Sequence, residues 1–386
     1  MRFSGRLPSD LTASPWAKAR AAAGSVAFDL TLSNPTACGF SYPADLLRAL
    51  AEPAGLSYHP EPRGLRSARA AVAHEYARFG ATVDPERIVL TASTSEAYAL
   101  VLKLLCDPGS AVLVPTPSYP LFDHLLGLEG VRAVPYALDP GTGWQPHPPP
   151  LTDADAARAA VVVHPNNPTG SLVDRLAAER LASARGRTLP GMPLIVDEVF
   201  LDFPLDPAAR PESYASRARS LTLTLGGISK SRGLPQVKLA WIVVSGPEAD
   251  VEEALERLEH IADTYLSVST PVQLALPDLL ARAAPVADAI RARCRENLAA
   301  AAGIGRDHPA VELLAPAAGW SAVLRFPRVV GEEALALGLL REGVAVYPGY
   351  FFDFPQEGYL VVSLLPPIEV FARGLRRTLD AIAAHL

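Results

Sequence analysis

Short apolar runs alternate with helical segments from residue 88 to residue 244, and this alternation most constrains the fold. The runs are rich in Val, Ile and Leu, and they predict buried strands at 88–91, 111–114, 131–136, 159–163, 194–196, 219–225 and 239–244. Strands that alternate with helices form a mostly parallel sheet with helices on both faces. We therefore expect an α/β fold built around one such sheet.

The last third of the chain has a different pattern. Helices are predicted from residue 252 to about residue 302, and strands at 311–314, 319–326, 344–347 and 359–364 follow, with helices at 332–342 and 369–385. This mixture predicts a smaller α+β unit, and 386 residues are too many for one simple core. We expect an N-terminal arm over 1–40 that joins the small domain, a large domain over 41–275 and a small C-terminal domain over 276–386.

Composition and charge narrow the class of function. The net charge is −6 and no Lys/Arg cluster occurs, which argues against a nucleic-acid partner. Cys38, Cys106 and Cys294 lie far apart, so we expect neither a disulfide framework nor a metal site, and a reducing, cytoplasmic location. No apolar run reaches the roughly 18 residues that span a bilayer. The first ten residues lack the apolar core of a signal peptide, so we expect no membrane partner.

Lys230 lies between the two last apolar runs, in the sequence Thr-Leu-Gly-Gly-Ile-Ser-Lys-Ser-Arg-Gly-Leu-Pro that begins at Thr224. An unpaired ammonium is costly to bury, and such lysines are usually neutralised or used covalently. Lysine amines of this kind form Schiff bases with carbonyl compounds, including pyridoxal phosphate (PLP). Taken alone, the pattern fits a surface-loop lysine equally well.

Small polar residues follow the strand predicted at 88–91. Ser93, Thr94 and Ser95 end that strand and open a helix, where hydroxyl and backbone N–H groups can hold an anion such as phosphate. Tyr119 follows the next strand and can stack on a planar heterocycle. Plain helix capping and core packing explain the same residues.

Two more polar side chains follow strands. Asn167, in Pro-Asn-Asn-Pro-Thr-Gly, can donate to a phenolate oxygen, and Asp197 ends the buried run Leu-Ile-Val and can pair with a pyridine nitrogen. A turn and an ordinary ion pair are the alternative interpretations. Ligands of parallel sheets bind outside the carboxyl ends of the strands, so we expect these residues and Lys230 to meet at one edge.

Five features occur together and in this order: the hydroxyls of Ser93–Ser95 (the phosphate cradle), Tyr119, Asn-Pro-Thr-Gly, Asp197 and Lys230. This combination resembles the fold-type-I PLP enzymes, and specifically the class I/II aminotransferase family. The resemblance runs from Ser33 to the final strand. It implies a seven-stranded type of sheet, PLP as cofactor, and exchange of an amino group between an amino acid and a 2-oxo acid by a ping-pong mechanism.

The resemblance also implies a role for each residue. Lys230 would hold PLP as a Schiff base and move the proton, and Tyr58 would reach the phosphate of a partner subunit, which implies a homodimer with shared sites. Phosphate and ring would be held by Ser93, Thr94, Ser95, Ser229, Lys238, Tyr119, Asn167 and Asp197. Ser33, Arg63 and Tyr350 are the candidate substrate-binding residues.

The sequence departs from the family pattern at three positions. Lys238 and Val361 stand where the family usually has arginine, and Phe200 stands where it often has tyrosine. The missing tyrosine predicts an altered titration of the Schiff base. Val361 removes the usual clamp for the substrate carboxylate, so a PLP-dependent lyase, decarboxylase or cyclase is the second hypothesis. A ligand-sensing domain is the third, although the lysine is present and no DNA-binding extension occurs.

Overall fold

The computed structural model describes residues 3–149, 157–183, 191–216 and 218–386. Eleven α-helices occur within these ranges: α1 (Pro15–Ala23), α2 (Arg66–Tyr76), α3 (Thr94–Leu105), α4 (Phe122–Leu128), α5 (Arg175–Ala182), α6 (Ile228–Ser231), α7 (Glu248–Tyr265), α8 (Thr270–Arg282), α9 (Ala284–Gly305), α10 (Glu332–Arg341) and α11 (Ile368–Ala383).

Fourteen strands lie in the same ranges: β1 (Phe28–Asp29), β2 (Ile88–Thr91), β3 (Ala111–Thr116), β4 (Arg132–Asp139), β5 (Gln145–His147), β6 (Ala157–Val163), β7 (Leu194–Asp197), β8 (Thr222–Gly227), β9 (Ala240–Ser245), β10 (Glu312–Leu314), β11 (Ser321–Arg325), β12 (Val344–Ala345), β13 (Tyr347–Pro348) and β14 (Tyr359–Ser363). Every strand that the sequence predicts in the large domain is present, with ends that differ by a few residues.

The largest sheet has eight strands in the order β2-β9-β8-β7-β6-β3-β4-β5. The pairs between β8, β7, β6, β3 and β4 are parallel, while β9 runs antiparallel to both of its neighbours and β5 antiparallel to β4. The predicted mostly parallel α/β sheet is confirmed. The short strand β5 is not among the predicted strands, and it adds an eighth, outermost strand beside β4.

Helices cover both faces of this sheet because its central strands are apolar on both sides. Residues of α3, α4 and α7 pack with one set of strand side chains, among them Val89 of β2. Residues of α2 and α8 pack with the opposite set, which includes Leu90 of the same strand. Successive residues of a strand point to opposite faces, so Val89 and Leu90 show directly that both faces are buried.

A second sheet of four antiparallel strands, in the order β10-β11-β14-β13, forms the centre of the smaller unit. Helices α9, α10 and α11 contribute to its core. The N-terminal strand β1 pairs in parallel with β12, so both ends of the chain build this unit. The predicted α+β unit that draws on both termini is confirmed.

The predicted boundary at residue 275 falls inside α8, which continues to Arg282. Ala275, Leu276 and Leu279 are buried in the same cluster as the strand residues of the large sheet. We therefore propose that the second domain boundary lies near Ala283, between α8 and α9. The boundary at residue 40 stays a prediction. No helix of the described residues is long and apolar enough to cross a membrane.

Candidate active site

The strand directions bring the predicted residues to one edge of the large sheet. β9 is antiparallel to both β2 and β8, so β2 runs in the same direction as the parallel strands. The carboxyl ends of β2, β3, β6, β7 and β8 therefore share an edge, together with the start of β9. The segments that leave this edge carry Ser93, Tyr119, Asn167, Asp197, Lys230 and Lys238.

The Lys230 amine lies against two aromatic rings. Its Nζ is 5.2 Å from the ring centroid of Trp320 and 6.0 Å from that of Phe200. The two rings pack edge to face with centroids 5.3 Å apart. Within the part of the chain that the structure describes, no carboxylate forms an ion pair with this amine. Burial lowers the pKa of Lys230, and the charge of Asp197 opposes that shift.

The short helix α6, which carries Lys230, is held by Arg232, whose side chain is 1% exposed. Its guanidinium forms ion pairs with Glu75 and Asp202. It also donates to the carbonyl oxygens of Leu280 at 2.9 Å and Ser231 at 2.9 Å. A buried guanidinium is tolerated when its donors are used in this way. The network ties the residue next to Lys230 to helix α8.

Asp197 is buried at the end of β7, and each of its carboxylate oxygens accepts a hydrogen bond. The backbone N–H of Val199 donates to Oδ1 at 3.1 Å, and the phenol of Tyr98 donates to Oδ2 at 3.0 Å. Burial raises the pKa of Asp197 to about 6, while the two hydrogen bonds and the charge of Lys230 act in the opposite direction.

Sequence reasoning missed Tyr98. A signal was present, because Tyr98 lies four residues after Thr94, one helical turn beyond the predicted phosphate cradle. A residue with a polar tip in that position faces the same side of the helix as the cradle.

The start of α3 is a capped helix N-terminus. Ser93 Oγ accepts from the backbone N–H of Glu96 at 3.1 Å, and the Glu96 carboxylate accepts from the backbone N–H of Ala92 at 2.6 Å. Capping therefore explains part of this motif, as the alternative interpretation held. The Ser93 hydroxyl hydrogen and the hydroxyls of Thr94 and Ser95 can still donate to an anion.

Asn167 and Tyr119 are both half-buried at this edge. Ser321 Oγ donates to Asn167 Oδ1 at 3.4 Å, which leaves the Asn167 amide hydrogens able to donate elsewhere. The Tyr119 ring packs edge to face on Phe122 with centroids 6.1 Å apart. The neighbouring Asn166 is fully engaged in holding the turn, so of the two asparagines only Asn167 keeps donors for a ligand.

Three further predicted residues differ in their exposure. Tyr58 is 68% exposed and lies in a loop before α2. Lys238 is exposed and has a left-handed backbone with φ of +63° just before β9. Ser229 is half-buried in α6, next to Lys230. Tyr58 and Lys238 thus offer polar groups to solvent or to another molecule.

Arg63 and Tyr350 each have a partner in the structure. Arg63 Nε forms an ion pair with Glu259 of α7 at 2.6 Å. The Tyr350 hydroxyl donates to Glu333 of α10 at 2.8 Å. Ser33 is exposed in the segment after β1. Arg63, Tyr350 and Ser33 stay predictions as substrate-binding residues.

Val361 is 1% exposed in the middle of β14. Its register partners are Val323 on β11 and Tyr347 on β13. The position that carries the carboxylate clamp in the family is thus sealed among apolar side chains here. A substrate carboxylate has to be held at another place.

The donor set at this edge fits PLP. The buried carboxylate of Asp197 matches the pyridine nitrogen, and the partly buried amine of Lys230, which has no ionic partner in the described ranges, matches the aldehyde. The free amide donor of Asn167 matches the ring oxygen, and the N-terminus of helix α3 matches the phosphate.

Comparison with known proteins identifies the protein family of this chain. The sequence profile of the family "Aminotransferase class I and II" matches residues 44–368. The chain belongs to this family, whose members use PLP, and it is an aminotransferase. A PLP-dependent lyase, decarboxylase or cyclase is not favoured.

Individual relatives agree with the family. The chain is similar to an alanine aminotransferase of Mycobacterium tuberculosis (29% identical, covering 90% of this chain and 83% of the relative). It is also similar to the glutamate-pyruvate aminotransferase AlaA of Escherichia coli (28% identical, 90% and 88%). Among solved structures, an alanine aminotransferase of Pyrococcus furiosus shares the fold with a TM-score of 0.84 at 23% identity, over 99% of this chain and all of that one.

Proposed function

We propose that Lys230 is the lysine that binds PLP, and that transamination takes place at the shared strand edge around it. The observation that carries this proposal is the position of the Lys230 amine. It is partly buried against Trp320 and Phe200, it is electrostatically coupled to Asp197, and it lacks an ion pair within the described ranges. A structural lysine at this depth would need a carboxylate partner, whereas a covalent or basic amine does not.

The other residues at the edge would hold the cofactor. Asp197 would face the ring nitrogen, Asn167 would donate to the ring oxygen and Tyr119 would stack on the ring. The phosphate would be bound by hydroxyls and cations close to the start of α3 and to α6: Ser93, Thr94, Ser95, Ser229 and Lys238. Lys238 keeps the positive charge that an arginine would supply but makes a less directional contact.

When bound, PLP supplies an aldehyde that condenses with primary amines and a ring that withdraws electrons from the bond to be broken. The chain supplies the proton transfer. Burial lowers the pKa of Lys230, which favours the neutral amine, so Nζ could accept the proton from the substrate α-carbon and donate it to the carbon that carries the aldehyde of the cofactor. Trp320 and Phe200 keep water away from this nitrogen, since both rings are at least nine-tenths buried.

The substrates are an amino acid and a 2-oxo acid, and the names of relatives suggest which ones to test first. The similar proteins include alanine, glutamate-pyruvate and arginine-pyruvate aminotransferases, the last from Pseudomonas aeruginosa at 28% identity. We propose pyruvate as one acceptor. The buried Val361 means that the carboxylate is held without an arginine from β14, and Ser33, Arg63 and Tyr350 are the predicted contacts.

We also propose a cytoplasmic homodimer with shared sites. Tyr58 is exposed within one chain, although the resemblance assigns it to a phosphate site. Leu47 and Leu56 are exposed on the same stretch, at 46% and 92%. A second copy would cover these apolar side chains and bring Tyr58 to its site. Sedimentation of the PLP-bound protein tests this, and a monomer that transaminates fully would contradict it.

The proposed function is tested by single half-reactions. Protein loaded with PLP is mixed with alanine, glutamate or arginine, and both the visible absorbance of the cofactor and the released 2-oxo acid are measured. We expect at least one amino acid to give a 2-oxo acid in an amount equal to the protein, and Lys230→Ala to abolish this. The matched control is Lys103→Ala, since Lys103 pairs with Glu129 at 2.6 Å on another part of the surface. No product with any donor would refute the proposal.

A further inference from the structure

We infer that Tyr98 is a positioning residue that sets the charge and orientation of Asp197, and through Asp197 the strength of PLP binding. The inference rests on the proposed function, because Asp197 matters in this way only if the cofactor lies at this edge. It is carried by the hydrogen bond from the Tyr98 phenol to Asp197 Oδ2, 3.0 Å long and buried.

Tyr98 is held rigidly in the position from which it donates. It lies in the second turn of α3 and is 3% exposed. Its ring packs edge to face on Phe122 with centroids 5.7 Å apart. The same Phe122 contacts Tyr119, the residue proposed to stack on the cofactor. The contact with Asp197 joins the helix that begins at the phosphate cradle to the strand that ends at the ring nitrogen.

The second hydrogen bond to Asp197 comes from its own loop. The Val199 N–H occupies Oδ1, so the phenol is the only side-chain donor that the described residues give this carboxylate. Two donors, one on each oxygen, fix the plane of the carboxylate. Each oxygen keeps a lone pair, so Asp197 can still accept from a third group in the space beyond the strand.

The charges around Asp197 explain why one hydrogen bond has a large effect. The titratable groups that face or influence it are Lys230, which favours its ionised form, and Glu198, Tyr119, Tyr98 and Tyr76. Burial disfavours the ionised carboxylate, and Tyr98 acts against burial. Loss of the phenol would therefore make Asp197 harder to ionise, and a neutral carboxyl attracts a ring N–H much less strongly.

The experiment measures the dissociation constant of PLP from the cofactor-free protein at pH 8. Four proteins are compared: wild type, Tyr98→Phe, Asp197→Asn and the double variant. We expect Tyr98→Phe to raise the dissociation constant about tenfold, the lower end for a hydrogen bond to an ionised group. In the Asp197→Asn background the same substitution should change it by less than about twofold, because the partner is already neutral.

The matched control is Tyr136→Phe. Tyr136 is equally buried, at 2% exposure, but its phenol donates to the neutral backbone carbonyl of Val161 at 2.8 Å. We expect PLP affinity to be unchanged in this variant. A second readout needs no cofactor and compares the unfolding equilibrium constants of Tyr98→Phe and wild type. The ratio of the variant constant to the wild-type constant should be about tenfold larger at pH 8 than at pH 5, where Asp197 is protonated in the folded state. Tyr136→Phe should lose the same free energy of unfolding at both pH values.

Three results would overturn the inference. The first is wild-type PLP affinity in Tyr98→Phe. The second is an effect of Tyr98→Phe that persists in full after Asp197→Asn, and the third is a stability loss that does not depend on pH. The proposed function fails differently: wild-type protein that binds no PLP would refute that function, while the pH-dependent stability of the cofactor-free Tyr98→Phe protein would still show whether Tyr98 controls Asp197.

Discussion

Replacement of Arg232 by methionine tests how helix α6, which carries Lys230, is held. Arg232→Met removes a guanidinium that is 1% exposed and that pairs with Glu75 and Asp202. Asp202 keeps Arg78 as a partner, whereas Glu75 keeps only a 3.5 Å contact with the same Arg78. Breaking a buried pair from one side costs about 3 to 5 kcal/mol, and Glu75 is the less compensated of the two carboxylates that remain.

This loss of free energy corresponds to a lower thermal unfolding midpoint. If all 386 residues unfold together with an entropy of about 2.1 cal/mol/K per residue, the midpoint of the cofactor-free protein falls by about 4 to 6 °C. We also expect weaker PLP binding, because Arg232 holds the carbonyl of Ser231, next to Lys230. Thermal unfolding followed by circular dichroism and a PLP titration measure the two effects.

Arg66→Met is the matched control for this experiment. Arg66 is 74% exposed and pairs with Glu86, which is 50% exposed, so its loss should change the midpoint little. The reasoning would be refuted if Arg232→Met and Arg66→Met had the same unfolding midpoint. It would also be refuted if Arg232→Met lost stability but bound PLP as tightly as wild type, since the network would then not support the position of Lys230.

Four further predictions follow from the structure. Phe200→Tyr adds a phenol beside Lys230, so the pH titration of the cofactor absorbance should shift, and superimposable curves would contradict this. Lys238→Gln removes a phosphate contact and should raise the PLP dissociation constant about tenfold, with unchanged affinity as the contrary result. Gly170→Ala should lower the unfolding midpoint, because a Cβ there would overlap Pro316 Cβ and Gly170 has φ of +65°; an unchanged midpoint would contradict this. Burial raises the pKa of Glu198 to about 8, so the folded chain keeps a proton that the unfolded chain releases. The free energy of unfolding should therefore decrease as the pH rises from about 5 to about 9. A Glu198→Gln variant with the same decrease would exclude this origin.

The sequence is sufficient to predict the large sheet and the edge where the site lies. The strands are continuous apolar runs, and Asp197 comes directly after one of them. Because parallel strands end at a common edge, the order of motifs along the chain translates into proximity. Topology alone therefore brings Ser93, Asn167, Asp197 and Lys230 together.

Pairings between distant segments are not predictable in this way. Tyr98 and Asp197 are separated by 99 positions, and helix α3 offers several side chains that could reach the strand end. Arg63 is a candidate substrate-binding residue in the sequence, and in the structure it forms an ion pair with Glu259 of α7. Whether an arginine is free depends on every acid around it, which only the packed structure defines.

Proline accounts for one difference at the level of elements. Pro146 lies in β5, where the sequence gives no strand pattern. Proline is tolerated on an edge strand because one side of that strand makes no ladder hydrogen bonds, and β5 is the last strand of its sheet.

The central claim is that Lys230 holds the cofactor, and it can be tested in one measurement. The sequence contains four lysines, Lys18, Lys103, Lys230 and Lys238. Protein loaded with PLP is reduced with borohydride, digested and analysed by mass spectrometry to locate the pyridoxyl group. We predict a stoichiometric modification of Lys230 alone. Modification of another lysine, of Lys238 above all, or the absence of any stoichiometric modification would contradict the account.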